Sequence, residues 1–430
     1  MEIQQLHQLF LTSNGICTDN RVVKENEIFF ALRGENFNGN TFAKKALENG
    51  ALQVIIDDKN VTSELDSTHY ILVDDVLKTL QELARYHRNY LNIPIIGLTG
   101  SNGKTTTKEL IYAVISQSYK TIATIGNLNN HIGVPLTLLR MTEETEIGIV
   151  EMGANHQKEI EFLCTIAQPN LGYITNFGKA HLEGFGGVEG VIKGKSELYT
   201  YLKQNNQTVI TNLDDSKQNE LTINSKRFTF GQNNNPADVL VTLKNIQPFL
   251  EIEYDYLNIK SNLIGIYNFN NIASAICIGT YFKVPKKLIK KGIESYVPSN
   301  NRSQLIQIKT NKIILDAYNA NPSSMEAVLH NLSKQNSSHN YLILGDMFEL
   351  GDEAWKEHLF IINLVKSLQF KDALFVGGNF YKHKSNFKEF KFFKEYKDLE
   401  EYINLNLPEK RTILVKGSRG MALERILKIL

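Results

Sequence analysis

Short apolar runs recur along the chain, most of them followed by polar residues and then by a stretch of helical spacing. Residues 28–32, 53–56 and 71–73 read as strands, with helical spacing over 41–49 and 76–90. The alternation resumes at 93, with strands predicted at 93–98, 120–124, 147–151, 171–175 and 208–211 and helices between them, the first over 108–118. Residues 239–243 and 249–254 switch to period-two alternation, which predicts an antiparallel excursion, and an apolar helix follows over 272–281. Beyond the polar, aperiodic stretch 298–301, strands are predicted at 312–315, 341–344, 373–376 and 412–415. Helices are predicted there at 323–332, 353–368 and 421–430.

This βα alternation predicts an α/β protein. Its 430 residues exceed what one hydrophobic core fills, so three domains are expected, over 1–92, 93–298 and 299–430. The central domain should hold a doubly wound, mostly parallel sheet and the C-terminal one a Rossmann-like α/β sheet. With 47 basic against 46 acidic residues, charge gives no pull toward nucleic acid or a membrane surface. The three cysteines, Cys17, Cys164 and Cys277, are scattered and lack CxxC spacing, which suits apolar fillers in a reducing compartment. The first residues lack the pattern of a secretory signal and no run is long enough to span a membrane, so a soluble cytoplasmic protein is expected. No internal repeat is visible, and the lysine-rich segment 381–397 reads as a solvated face.

Chemistry concentrates just after the strands. Thr99-Gly100-Ser101-Asn102-Gly103-Lys104-Thr105-Thr106-Thr107 joins a strand to a helix, the arrangement that aims backbone N–H groups and a positive dipole end at phosphate. The general phosphate-loop pattern would have glycine at 98, where this chain has Leu98. Lys104 would reach the terminal phosphates and the Thr105 hydroxyl would face Mg²⁺, so ATP is the expected ligand. Glu151 closes an apolar run, a costly place for a carboxylate unless it is paired or bound to metal. Asn127, Asn129 and Asn130 follow one strand, His181 follows another, and 265–271 offers a lining for an adenine edge. Arg21 and Arg33, in polar turns of the first domain, read either as ordinary turn chemistry or as anion contacts. Lys195 on its own reads as a solvated helix lysine.

Together these segments resemble the Mur ligase family of ATP-dependent amide-forming enzymes. The loop 99–109, Gly126-Asn127-Leu128-Asn129-Asn130, Glu151-Met152-Gly153-Ala154-Asn155, Ala180-His181-Leu182-Glu183, Asp316-Ala317-Tyr318-Asn319-Ala320-Asn321-Pro322 and Gly345-Asp346-Met347 are similar to the branch that adds D-alanyl-D-alanine to UDP-N-acetylmuramoyl-tripeptide. The resemblance implies that the three domains bind the UDP-sugar, ATP, and ATP with the incoming dipeptide, in that order, and that the enzyme is a monomer. It implies that Gly100, Ser101, Asn102, Gly103, Lys104, Thr105 and Thr106 hold the nucleotide phosphates, and that Asn268 and Asn271 line the adenine. Arg302 would contact phosphate and Asp316 the ribose. Thr105, Glu151, His181 and a carbamylated Lys195 would hold Mg²⁺, with Lys104, Glu151, His181 and Lys195 serving catalysis. Thr18, Asp19, Arg21, Arg33 and Gly34 would contact the uridine diphosphate, and Asn127, Asn129, Asn130, Tyr318, Asn319 and Asn321 the rest of the substrates. The chain departs from the branch at Lys179, where proline is usual, at Gln157-Lys158, and at Cys17 and Asn20. A sister ligase adding the third stem residue, a folylpolyglutamate-type ligase, and a nucleotide-binding switch without ligase chemistry stand as alternatives.

Overall fold

The computed structural model describes residues 2–232, 236–334 and 339–430. Three main sheets carry the fold, with a two-stranded hairpin, Arg33–Gly34 and Phe37–Asn38, beside the first. The first sheet is parallel, in the order Ile16–Cys17, Ile28–Phe30, Gln53–Ile56, Tyr70–Leu72. Helix Val76–Leu91 then leaves it and lies against the second unit, where Arg88 donates to the carbonyls of Ala167 and Gln168 and to Asn170 Oδ1 at 2.8–3.2 Å. Its buried Val76, Leu80, Leu83 and Ala84 sit in one apolar cluster that spans both units.

The central sheet has nine strands. From Thr121–Ala123 it runs through Ile147–Glu151, Ile95–Thr99, Leu171–Ile174, Thr208–Asn212, Arg227–Gly231 and Val239–Asn245, all parallel. Glu251–Tyr254 and Leu257–Lys260 extend it antiparallel, so the predicted excursion is present with one more strand than the pattern showed. The third sheet places the antiparallel edge strand Gln304–Ile308 beside Asn311–Asp316, then Thr412–Lys416, Asn340–Gly345, Asp372–Val376 and Lys391–Phe393 in parallel. Buried strands that read as continuous apolar runs are what helices on both faces of a parallel sheet require.

Helix Lys104–Ile115 starts four residues earlier than its predicted position. The β-branched run Thr105 to Thr107 weakens its intrinsic propensity, but Leu110, Ile111, Val114 and Ile115 are buried in one cluster with helices Phe269–Tyr281 and Lys286–Ser295. Burial of each such side chain contributes about 1.5–3 kcal/mol, which overrides propensity differences of a few tenths. The predicted helix over 421–430 is not formed: two 3-10 turns, Arg419–Met421 and Leu423–Lys428, flank Ala422, whose φ of +48° interrupts any continuous helix. Among the described residues no helix is long and apolar enough to cross a membrane. All three cysteines are buried and free.

Candidate active site

Strand Ile95–Thr99 sits between Ile147–Glu151 and Leu171–Ile174, with Leu98 opposite Glu151 and Thr99 opposite Ile174. After this strand the chain moves to one side of the sheet and later returns to the other, so the loops at the carboxyl ends of these three strands part around a crevice. The loop 99–104 lies in it. Gly100 has φ +140°, and a Cβ there would collide with Thr175 Oγ1 and come within 2.9 Å of the Thr175 nitrogen. Gly103, at φ +78°, forms the N-terminal boundary of helix Lys104–Ile115. The loop is fixed from the neighbouring strand end: Ser101 N donates to Asn176 O and Asn102 N to Asn176 Oδ1, both at 3.1 Å. Thr175 Oγ1 and Asn176 Nδ2 donate to Asn102 O at 2.6 and 3.0 Å.

Lys104 Nζ curls back to donate to the carbonyl of Gly100 at 2.7 Å. Burial holds this ammonium below the usual lysine range; Glu151 opposes the shift and Arg302 adds to it. Glu151 is 1% exposed and accepts from Thr105 Oγ1 at 3.1 Å and from Asn129 Nδ2 at 2.9 Å. Its own N–H donates to Thr124 Oγ1 at 3.0 Å. The strand-end carboxylate is thus paired through hydroxyl and amide donors. These oxygen donors suit Mg²⁺, which takes one or two protein oxygens and completes its shell with phosphates and water. Among the described residues no group of three or more His, Cys, Asp and Glu side chains converges as a metal site.

The third sheet faces this loop. Arg302 stacks its guanidinium 3.6 Å from the centroid of the Tyr318 ring. Asp316 accepts from Ser303 N at 3.1 Å and from Lys416 Nζ at 2.6 Å. Asn321 Nδ2 donates to Asn102 Oδ1 at 2.7 Å, a direct bond from the third sheet's loops to the phosphate loop. Nδ1 of His181 lies 2.6 Å from Oε2 of Glu349, and the imidazole pulls that carboxyl below the usual range. The cavity between these walls has a volume of about 1370 Å³.

Of the residues singled out from sequence, Ser101 to Thr106, Asn127, Asn129, Asn130, Glu151, His181, Asn268, Asn271, Arg302, Asp316, Tyr318, Asn319 and Asn321 line this one cavity. Asn268 and Asn271 are joined by a 2.8 Å hydrogen bond, and Asn271 also accepts from Thr107 at 3.0 Å. Thr18, Asp19, Arg21, Arg33 and Gly34 stand apart from it. Arg21 pairs with Asp19 at the surface and Arg33 with Asp57, at 2.7 and 2.8 Å. Lys195 corrects its spacing-based reading: it is 1% exposed, donates to the Ala154 carbonyl at 3.0 Å, and sits over the Phe185 ring. Burial, with Lys104 adding, holds its pKa well below the usual value. Gly194 and Lys195 fall on the buried face of helix Val188–Gln204, whose lysines look alike in sequence.

Sequence reasoning missed Lys416, 2% exposed and paired with Asp316, although it ends an apolar strand as Glu151 does. Asn176 and Glu349 lie in post-strand polar segments that the sequence marks, 176–183 and 345–351, but their partners, in other segments, could not be read from it.

Family profiles cover most of the chain. The Mur ligase family catalytic domain matches residues 12–88, the Mur ligase middle domain 98–279, and the glutamate ligase domain of Mur ligases 301–419. The chain is 34% identical over 424 residues to the UDP-N-acetylmuramoyl-tripeptide--D-alanyl-D-alanine ligase of Bacillus subtilis strain 168, covering 96% of this chain and 92% of that protein. Its fold superposes on MurF from Acinetobacter baumannii with a TM-score of 0.86 and 29% identity, over 99% and 97% of the two chains. MurF from Thermotoga maritima in complex with ADP gives 0.84 and 25%, over 98% and 97%.

Proposed function

The chain belongs to the Mur ligase family, and from that membership we propose that it joins D-alanyl-D-alanine to UDP-N-acetylmuramoyl-tripeptide with hydrolysis of ATP. The observation that carries this reading is the single cavity lined by the phosphate loop, by Glu151 with Asn129, and by Arg302, Asp316 and Asn321 from the third sheet. A phosphate loop facing a wall of another domain gives room for a nucleotide and two further reactants in one cleft.

The terminal carboxylate of the tripeptide attacks the γ-phosphorus of ATP, forming an acyl phosphate and releasing ADP. The amine of the dipeptide then attacks the acyl carbon, a C–N bond forms, inorganic phosphate leaves, and the amine proton is lost to solvent. Lys104 uncurls from the Gly100 carbonyl to pair with the transferring phosphoryl group, where most of the rate in such chemistry is gained. Arg302, held flat against Tyr318, supplies a second fixed cation. Asp316, oriented by Lys416 and Ser303, receives the ribose, and Asn268 and Asn271 lie along the adenine. Thr105, Glu151 and His181 would hold Mg²⁺, which when bound neutralises charge on the phosphates. Lys195 is buried against the Ala154 carbonyl, with burial lowering its pKa; adding its nitrogen to CO₂ with loss of a proton would make it a carboxylate. Asn127, Asn130, Tyr318 and Asn319 contact the remaining substrate atoms, and Thr18, Asp19, Arg21, Arg33 and Gly34 the uridine diphosphate at the first sheet. On this reading residues 1–92, 93–298 and 299–430 act as UDP-sugar, ATP and dipeptide domains of a cytoplasmic monomer.

The test is phosphate release from ATP with UDP-N-acetylmuramoyl-tripeptide, with and without D-alanyl-D-alanine. Release that needs both is the expected result, and release indifferent to both would refute the ligase reading.

A further inference from the structure

The loop that holds the phosphate loop in place also reaches the third domain. Asn176 and Gly178 grip the phosphate loop, with Ser101 Oγ donating to Gly178 O at 2.8 Å. The next residue, Lys179, turns outward from that grip. Its N–H donates to Ser323 Oγ at 2.9 Å, and its ammonium lies 2.6 Å from Oε1 of Glu357 on helix Ala354–Ser367. The same ammonium lies 5.7 Å from the centroid of the Phe360 ring, one turn further along that helix. Lys179 is half-exposed, whereas the Glu357 side chain is only 3% exposed and its Oε2 has no hydrogen-bond partner among the described residues.

A buried carboxylate is tolerated only with a compensating charge. Here the cation comes from a different domain. Moving the third domain away from the phosphate loop would strip Glu357 of that cation, so the pair favours the closed arrangement. It is also placed to set two contacts nearby: Asn321 on Asn102, and Glu349 on His181, two residues beyond Lys179.

We propose that Lys179 is a positioning residue for the ligase reaction, pairing with Glu357 as an interdomain latch that seats the third domain over the phosphate loop. This rests on the ligase reading for its kinetic part only. The pair acts as one unit: neither residue lines the cavity, and losing either has the effect of losing both.

The test compares Lys179→Met, Glu357→Gln, their double variant and Lys179→Arg in the full-length protein. Small-angle X-ray scattering without ligand and with a non-hydrolysable ATP analogue reads closure, and steady-state kinetics separates KM for ATP from kcat. Lys179→Met and Glu357→Gln should each expand the ligand-free protein and raise KM for ATP about tenfold. The double variant should be no worse than either single, and Lys179→Arg should stay near wild type. Scattering curves and KM unchanged in Lys179→Met would overturn the latch, as would additive losses in the double variant. Lys179 is partly exposed, so its variant remains informative even where Glu357→Gln fails to fold. A scattering change with no substrate-dependent phosphate release in any variant, wild type included, would keep the latch and refute the ligase reading.

Discussion

Gly100→Ala is expected to damage both the fold and nucleotide binding, and the structure sets the size of the effect. The residue sits at φ +140°, a backbone region essentially confined to glycine, which costs about 1–3 kcal/mol. The new methyl would strike Thr175 Oγ1 and lie 2.9 Å from the Thr175 nitrogen, which is hydrogen-bonded to Thr99 in the sheet. Overpacking of this kind costs about 1–3 kcal/mol. Thr175 cannot step aside freely, because its hydroxyl donates to Asn102 O at 2.6 Å and that bond contributes about 0.5–1.5 kcal/mol. Together the effects come to roughly 2.5–7.5 kcal/mol, a large share of the ~5–15 kcal/mol that typically separates native from unfolded protein. Urea denaturation followed by circular dichroism, with calorimetric titration of an ATP analogue, reads both consequences. Gly126→Ala is the control: at φ +55° with nothing within 4 Å of an added Cβ, it carries the backbone cost alone. If Gly100→Ala lost no more stability than Gly126→Ala and bound the analogue normally, the steric account of this loop would be refuted.

Lys104→Met should lower substrate-dependent phosphate release by at least about 10²-fold while leaving the melting temperature unchanged or raised, because burial already disfavours the charged lysine in the folded protein; a lower melting temperature would contradict this. Acid should destabilise the packing of helix Ile3–Thr12, which carries His7 on its buried face. His7 is buried against His87, and burial, with the charge of His87 adding to it, brings its pKa down to about 4. The unfolded chain therefore binds more protons between pH 4 and 6.5. Stability from this residue is fully present above 6.5 and falls by up to about 1.4 kcal/mol per pH unit as the pH drops toward 4. Denaturation midpoints at several pH values in wild type and His7→Phe check this, and equal pH slopes in the two would rule it out. Chelation of divalent cations with EDTA should abolish turnover and excess Mg²⁺ restore it; turnover that persists in EDTA would remove Thr105 and Glu151 from a metal role.

The parallel α/β alternation, the phosphate loop and the strand-end position of Glu151 were legible in the sequence, because strand-forming apolar runs and glycine-rich turns are local signals. Strands Arg227–Gly231, Leu257–Lys260, Gln304–Ile308 and Lys391–Phe393 were not, since three of them lie at sheet edges or carry mixed patterns whose side-chain partners come from elsewhere. Nor did the helical pattern over 421–430 register the turn at Ala422. The site divides along the same line. Local spacing identified Lys104, Thr105, Glu151 and His181 as residues able to do chemistry, but it could not tell buried Lys195 from the solvated lysines beside it, because burial depends on which helix face meets Phe185 and Ala154. Only the tertiary structure joined Asn102 to Asn321, His181 to Glu349 and Lys179 to Glu357. Those pairs are separated by well over a hundred residues, and contacts across that distance are set by how whole sheets dock, which no window of sequence encodes by itself.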